Sequence, residues 1–437
     1  MVGQVAGEDL GHVPQYPSVS SELSTFSRRG VVKFSRHNVA NMKGLIMQSS
    51  KRVLVVGLGI AGMATAVRLK DAGWEPVIIE RAPERRSGGY FIGLFAEGRE
   101  AAERLGVLGN ITRENPAGSK TWEVDSDGDR TLSIGFLDQP GHPRGVLRGD
   151  IEAALWERVR DEIEVRYSVT PEAIRSMSDR AYVVLRNMQD GTLTEESYDL
   201  VIGADGLRST VRQLVFGPNE QFMKPFNAII CAFALDSQVP QFAERDGLVL
   251  AEPGRSLWVF PFGDRTPTAL LTYRTTDEDA EFRRPPIETL RARYAGVDGD
   301  GAVAHVLDEL ESAPDFLFDS VHQVKMPSWH QGRVVLLGDS AWCLTLYSGM
   351  GATAGLMGAD ALGAALEANP ASIESALTEW EAGLRPFIKK HQFGAHIKGQ
   401  VFVPSNRFLA RVRTAVMRRQ GQKVRVARAE RTPAPVS

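Results

Sequence analysis

Cysteine is almost missing from this chain: Cys231 and Cys343 are the only two among 437 residues. They form no C-x-x-C pair and no cluster with the eight histidines, so dithiol redox chemistry lacks its motif and no metal site is expected. Two packed thiols fit a reducing, cytoplasmic setting. An excess of one charge is missing as well. The 51 basic and 54 acidic side chains leave a formal net charge of -3, which offers no basic field to gather nucleic acid. Uninterrupted apolar runs are scarce too. Residues 340–359 carry no formal charge over about the length of a membrane span. Yet Gly349, Gly351, Gly355 and Gly358, several hydroxyl residues and Asp339 at the edge argue against lipid, and no transmembrane segment is expected. What remains is an ordinary globular composition, 43% apolar and 24% charged, on a chain long enough for more than one domain.

Residues 1–48 are polar and serine-rich, without the apolar stretch of a secretory signal. A disordered extension is expected there, with folding beginning near Lys51. The organising stretch follows at residues 53–81, VLVVGLGIAGMATAVRLKDAGWEPVIIER. Its opening apolar run reads as a strand buried on both faces. Gly57, Gly59 and Gly62 then give the G-x-G-x-x-G spacing, with Ile60 and Ala61 inside the turn. The first glycine allows a tight turn, the second lets backbone approach a pyrophosphate, and the third lets the helix sit against the strand. Gly73 stands where a helix-ending glycine belongs. The second apolar run ends on Glu80, whose carboxylate suits the ribose hydroxyls of an adenosine.

Further along, residues 120–136 read as two strands around a DGD turn. Arg148 and Gly149 precede a helix capped by Asp150. Residues 198–212, YDLVIGADGLRSTVR, repeat the opening logic of a buried strand, a glycine-bearing turn and a helix start. Residues 222–325 have sheet periodicity instead, with Trp258, Phe260 and Phe262 on one face, either as core or as the wall of a substrate cavity. Residues 332–339, GRVVLLGD, form another buried strand, and the Gly349-Met350-Gly351 turn opens a helix with free backbone N–H groups. Helices are expected at 373–385 and 408–419.

A single Rossmann unit does not say which dinucleotide it binds. G-x-G-x-x-G with Glu80, then GADG at 203–206, then Gly338-Asp339, in this order, resembles the aromatic-hydroxylase family of FAD-dependent monooxygenases. These are the single-component enzymes with the p-hydroxybenzoate hydroxylase fold, and the resemblance spans roughly residues 51–417. It implies an α/β fold with a Rossmann-like FAD-binding domain, an inserted antiparallel β-sheet substrate domain and C-terminal helices. The FAD-binding domain would occupy 51–221 and 326–369 and the substrate sheet 222–325, joined by the strands at 120–136. A helical segment at 370–420 and a disordered tail at 421–437 would complete the chain.

The resemblance also implies roles. Gly57, Gly59, Ile60, Ala61 and Gly62 would cradle the FAD pyrophosphate, Glu80 would hold the adenosine ribose, and Arg81 would lie by the adenine. Arg148 would head the helix beside the flavin's linking chain, and Asp205 would serve both FAD and NAD(P)H. Gly338 and Asp339 would hold the ribityl chain. Gly349, Met350 and Gly351 would point N–H groups at the flavin N1–C2=O edge, where a reduced flavin is anionic and a helix N-terminus is stabilising. In such enzymes NAD(P)H reduces FAD, O2 forms a C4a-hydroperoxide, and one oxygen passes to a small aromatic or polyketide-like molecule. No catalytic side chain is implied.

Two residues depart from the family pattern: Trp342 stands for a histidine and Leu346 for the second of paired prolines near the reacting edge. They keep open a flavoprotein oxidase or dehydrogenase. Residues 257–261, LWVFP, match only part of a halogenase W-x-W-x-I-P stretch. A flavin-holding protein without turnover is the remaining alternative.

Overall fold

β1 (Arg52–Val56), α1 (Ile60–Asp71) and β2 (Glu75–Glu80) form the unit that the glycine spacing predicts. The computed structural model describes residues 50–85, 88–111, 116, 118–139 and 143–431, leaving aside the side chains of 137 and 423–431. The extension expected over 1–48 lies outside the described residues, as do 432–437 at the far end.

Val53 to Val56 are all buried because β1 lies inside a sheet with helices on its faces. Six strands run in the order His330–Gln331, Val334–Leu336, Leu200–Gly203, β1, β2 and Glu164–Tyr167. All neighbours are parallel except the outermost pair at His330–Gln331. Leu54, Ile78, Met63 and Leu69 join Leu336 and Leu356 in one continuous core.

A second, seven-stranded sheet runs Leu317–Val324, Met223–Ala234, Thr268–Arg274, Arg255–Phe260, Gly247–Glu252, Thr121–Val124, Arg130–Ser133. It is antiparallel except where Gly247–Glu252 meets Thr121–Val124. Side chains alternate between its faces with the period of two expected of strands. Cys231, Leu257 and Leu271 pack under the helices Pro286–Tyr294 and Ala302–Ser312 with Leu290, Val306 and Leu310. Ile230, Ala232, Trp258, Phe260 and Leu270 take the opposite face, towards Leu346, Tyr347 and Phe402.

Two helical expectations are corrected. The helix expected at 373–385 runs from Ile373 to Phe402, straight through Pro386. Ser372 caps it by accepting from the Ser375 N–H at 3.1 Å. Its buried stripe continues past the proline through Ile388, Ala395 and Gly399, so packing outweighs one lost backbone bond. The last helix runs from Arg407 to Arg431, into the stretch 421–437 expected as a disordered tail. Gly421 explains this: a Cβ there would lie 2.3 Å from the Leu132 carbonyl oxygen, so the helix is still pressed onto a sheet edge at residue 421. The residues that follow, QKVRVARAER, are mostly good helix formers. Among the described residues, no helix is long and apolar enough to cross a membrane, and no group of His, Cys, Asp or Glu could hold a metal ion.

Candidate active site

The glycines of the first turn do different work. Gly57 has φ +109°, and a Cβ there would lie 2.5 Å from the Ala204 carbonyl oxygen. A Cβ on Gly62 would lie 1.9 Å from the Gly57 oxygen. Both are needed so that chain can lie on chain. Gly59 is different: its nearest approach is an Arg148 side-chain nitrogen at 4.0 Å, so open space faces it. Gly59 also precedes α1 without any side-chain cap, which leaves early helical N–H groups available. These two facts are what an anionic group lying on the turn requires.

Small residues also bring the three sequence motifs together. Gly57 abuts Ala204 and Asp205 of the GADG motif. Ala61 lies 2.8 Å from where a Cβ on Gly338 would be and 3.6 Å from one on Gly355. The Gly338-Asp339 loop and the helix Gly351–Ala368 therefore meet at the start of α1.

A cavity of about 570 Å³ opens at this junction. Gly59, Ile60, Ala61, Arg148, Gly338, Asp339, Gly349 and Gly351 line it; Gly57, Gly62, Glu80, Arg81, Asp205 and Met350 do not. Glu80 is half-buried beside the turn, accepting from the Leu58 N–H at 2.9 Å and the Ala82 N–H at 2.8 Å. Arg81 is exposed. The Asp205 carboxylate accepts from Ser209 Oγ at 2.6 Å, Thr210 N–H at 2.6 Å and Val211 N–H at 3.1 Å, so it caps a short helix. Met350 is buried and precedes the helix Gly351–Ala368, which begins without a side-chain cap.

Asp339 is surrounded by protein yet remains exposed, because it faces the cavity. Burial pushes its carboxyl above the ordinary value, against the pull of the Cys343 thiol and the Arg148 guanidinium. Burial works against the Arg148 charge, but Glu152 at 2.6 Å, Tyr90 and Asp339 outweigh it and raise its pKa. Beyond Asp339 the loop is strained at Thr345, a β-branched residue at φ +68°. Thr345 lines the cavity, and its buried hydroxyl oxygen has no partner among the described residues.

The two departures from the family pattern part company. Trp342 is buried away from the cavity, 4.6 Å from Trp329 and 5.8 Å from Trp380 in a tryptophan cluster. Leu346 lines the cavity. Across from the loop stands an aromatic wall. Phe91 stacks on Phe260 at 4.1 Å, and Trp258 lies 4.6 Å from Phe402. Trp258 and Phe260 are therefore cavity wall, whereas Phe262 lies beyond the strand.

Lys398, Phe402, Arg413 and Met417 close the cavity from the two C-terminal helices, and no motif pointed to them. The available signal was Lys398, a lone charge sharing a helical face with Val401 and Phe402.

A family model described as FAD binding domain matches residues 50–377. The chain belongs to this family, and it is an FAD-dependent monooxygenase. It is 30% identical over 370 residues to an uncharacterized protein of Mycobacterium tuberculosis, covering 82% of this chain and 96% of that one. It is 27% identical over 375 residues to a flavin-dependent monooxygenase of Legionella longbeachae, covering 82% and 91%. The crystal structure of Klebsiella pneumoniae HpxO complexed with FAD and uric acid matches with a TM-score of 0.70 at 19% identity, covering 87% and 96%.

Proposed function

We propose that this enzyme hydroxylates an aromatic or polyketide-like small molecule, using NAD(P)H as reductant and O2 as oxidant. The observation that carries the reading is the cavity itself. One continuous space of about 570 Å³ joins Gly59, Arg148, Asp339 and the Gly349 turn to a wall of Phe91, Trp258, Phe260 and Phe402. A planar apolar molecule has there a stacking surface beside the cofactor's residues.

Gly59, Ile60 and Ala61 would hold the pyrophosphate of FAD at the start of α1, with Gly57 and Gly62 allowing the close packing of that turn, and Glu80 and Arg81 would attend the adenosine. Arg148 and Asp339 orient the linking chain, with Gly338 allowing the close turn. Asp205 acts through the cap it makes. Gly349 and Met350 give their N–H groups to the Leu346 carbonyl at 2.9 Å and the Ser348 hydroxyl at 3.0 Å, which sets the turn. The uncapped helix start at Gly351 would supply the N–H groups that stabilise negative charge at the flavin edge. FAD, when bound, accepts electrons from the nicotinamide and delivers them to O2. The protein's own part is orientation, exclusion of water by the aromatic wall, and donors for developing charge. A second reading, an oxidase releasing peroxide, draws support from Leu346 at the cavity.

Turnover of a panel of phenols and polyketides under labelled O2 tests the choice. Product carrying one labelled oxygen atom is expected; NAD(P)H consumption with peroxide and unlabelled product across the panel would establish the oxidase. Asp339→Ala is expected to weaken FAD roughly ten- to a hundredfold, since a hydrogen bond to a charged group contributes about 1.5–3 kcal/mol. Flavin titration of the apoprotein measures this, and unchanged affinity would remove Asp339 from the cofactor site.

A further inference from the structure

Three arginine or lysine side chains stand on the cavity wall: Arg148, Lys398 and Arg413. Two are neutralised. Arg148 pairs with Glu152, and Arg413 pairs with Glu123. Lys398 has no ion pair among the described residues; its ammonium donates to the Ser348 carbonyl at 2.8 Å. The wall's carboxylates are engaged elsewhere, Asp319 with Arg208 at 2.6 Å and Asp339 with the Cys343 thiol. An ammonium carries three donors, so Lys398 keeps two beyond the one given to Ser348. Burial alone pulls its pKa below that of an ordinary lysine, as befits a cation without a carboxylate.

Its surroundings say what would neutralise it. Lys398, Val401 and Phe402 share one face of their helix and all line the cavity. From Phe402 the aromatic wall continues through Trp258, 4.6 Å away, then Phe260 at 6.2 Å and Phe91 at 4.1 Å. On the other side Ser348 leads directly into the Gly349 turn. A cation thus stands at one end of a row of aromatic rings that lines the cavity.

We propose that Lys398 anchors the substrate by an ionised oxygen, so that the substrate is a planar acid bound as phenolate, enolate or carboxylate. This rests on the hydroxylase reading above and gives that reading its charge. A charge-assisted hydrogen bond fixes one end of the molecule while its rings lie along the wall. Lys398 is here a specificity-determining residue, with no part in bond making.

The test uses FAD-loaded protein and an isosteric pair of probes, 2-naphthoate and 2-naphthamide, titrated by the change in flavin absorption. Wild type is expected to bind the anion at least tenfold more tightly than the amide. Lys398→Met should abolish that preference, leaving amide affinity, FAD content and flavin midpoint potential unchanged, and Lys398→Arg should keep most of it. Equal affinities in wild type, no binding of either probe, or a loss shared by both overturns the proposal. So does a shifted midpoint potential with anion affinity intact, which would give Lys398 to the cofactor. Because the readout is binding, it is independent of whether labelled oxygen reaches product.

Discussion

Replacing Gly59 with alanine is expected to leave a folded protein that no longer retains FAD, whereas Gly62→Ala should damage the fold itself. Both glycines belong to one motif, yet a methyl group meets different neighbours at each. At Gly62 it would lie 1.9 Å from the Gly57 oxygen, so α1 must shift away from β1. Overpacking of that severity costs about 3 kcal/mol or more. At Gly59 the nearest protein atom is 4.0 Å away and the backbone conformation is an ordinary extended one. The apoprotein has no reason to notice the change. A dinucleotide whose pyrophosphate must approach that backbone does, and at least a tenfold loss of affinity is expected. Thermal unfolding of the apo forms and FAD titration of each separate the two effects. A Gly59→Ala protein that binds FAD normally would show that the open space serves something else.

Glu123→Ala is expected to destabilise the protein by about 3–5 kcal/mol, the cost of stranding a buried charge. Its partner Arg413 is only 3% exposed at the side chain. The guanidinium also donates to the Val401 carbonyl at 2.6 Å and lies over the Trp258 ring. Removing the carboxylate leaves those contacts holding an unpaired cation against an apolar wall. The helix Arg407–Arg431 should then lift from the sheet, and protease should cut within it sooner. Pairing Glu123→Leu with Arg413→Met removes both charges and should recover most of the stability. If the single change costs under about 1 kcal/mol by chemical denaturation, the pair is not what seats this helix.

How legible the site was depended on whether its residues speak locally. Gly57, Gly59 and Gly62 were readable because strand, turn and helix follow within one short stretch, and the turn's backbone demands those residue types. Arg148 and Asp339 were readable only within motifs, since nothing in isolation separates a cavity-facing charge from a surface one. Asp205 sits in its motif equally well, but its oxygens turn to the N–H groups of its own helix, a choice that only coordinates display. Lys398 spoke only through the apolar face it shares with Val401 and Phe402, and Arg413 was silent. Their partners, Ser348 and Glu123, lie 50 and 290 residues away, and their helices ran past the points where Pro386 and a polar composition signalled an end. Local propensity set those boundaries too early because tertiary contacts, such as Gly421 against Leu132, decide them.

The parallel pairing of Thr121–Val124 with Gly247–Glu252 bears on how the chain can assemble during synthesis. The hairpin that completes this sheet edge leaves the ribosome well before the strand it must pair with. The arginine that then seals the edge follows its glutamate by 290 residues. A nascent chain therefore has its glycine turn, and the Leu200–Gly203 strand and Ala204 that pack against it, long before it has an enclosed pocket. Contacts so distant in sequence are slow to form. Closure of the cavity waits on Arg413 and Met417 of the last helix, so the growing chain has its glycine turn in place before the space that the turn opens onto has all its walls.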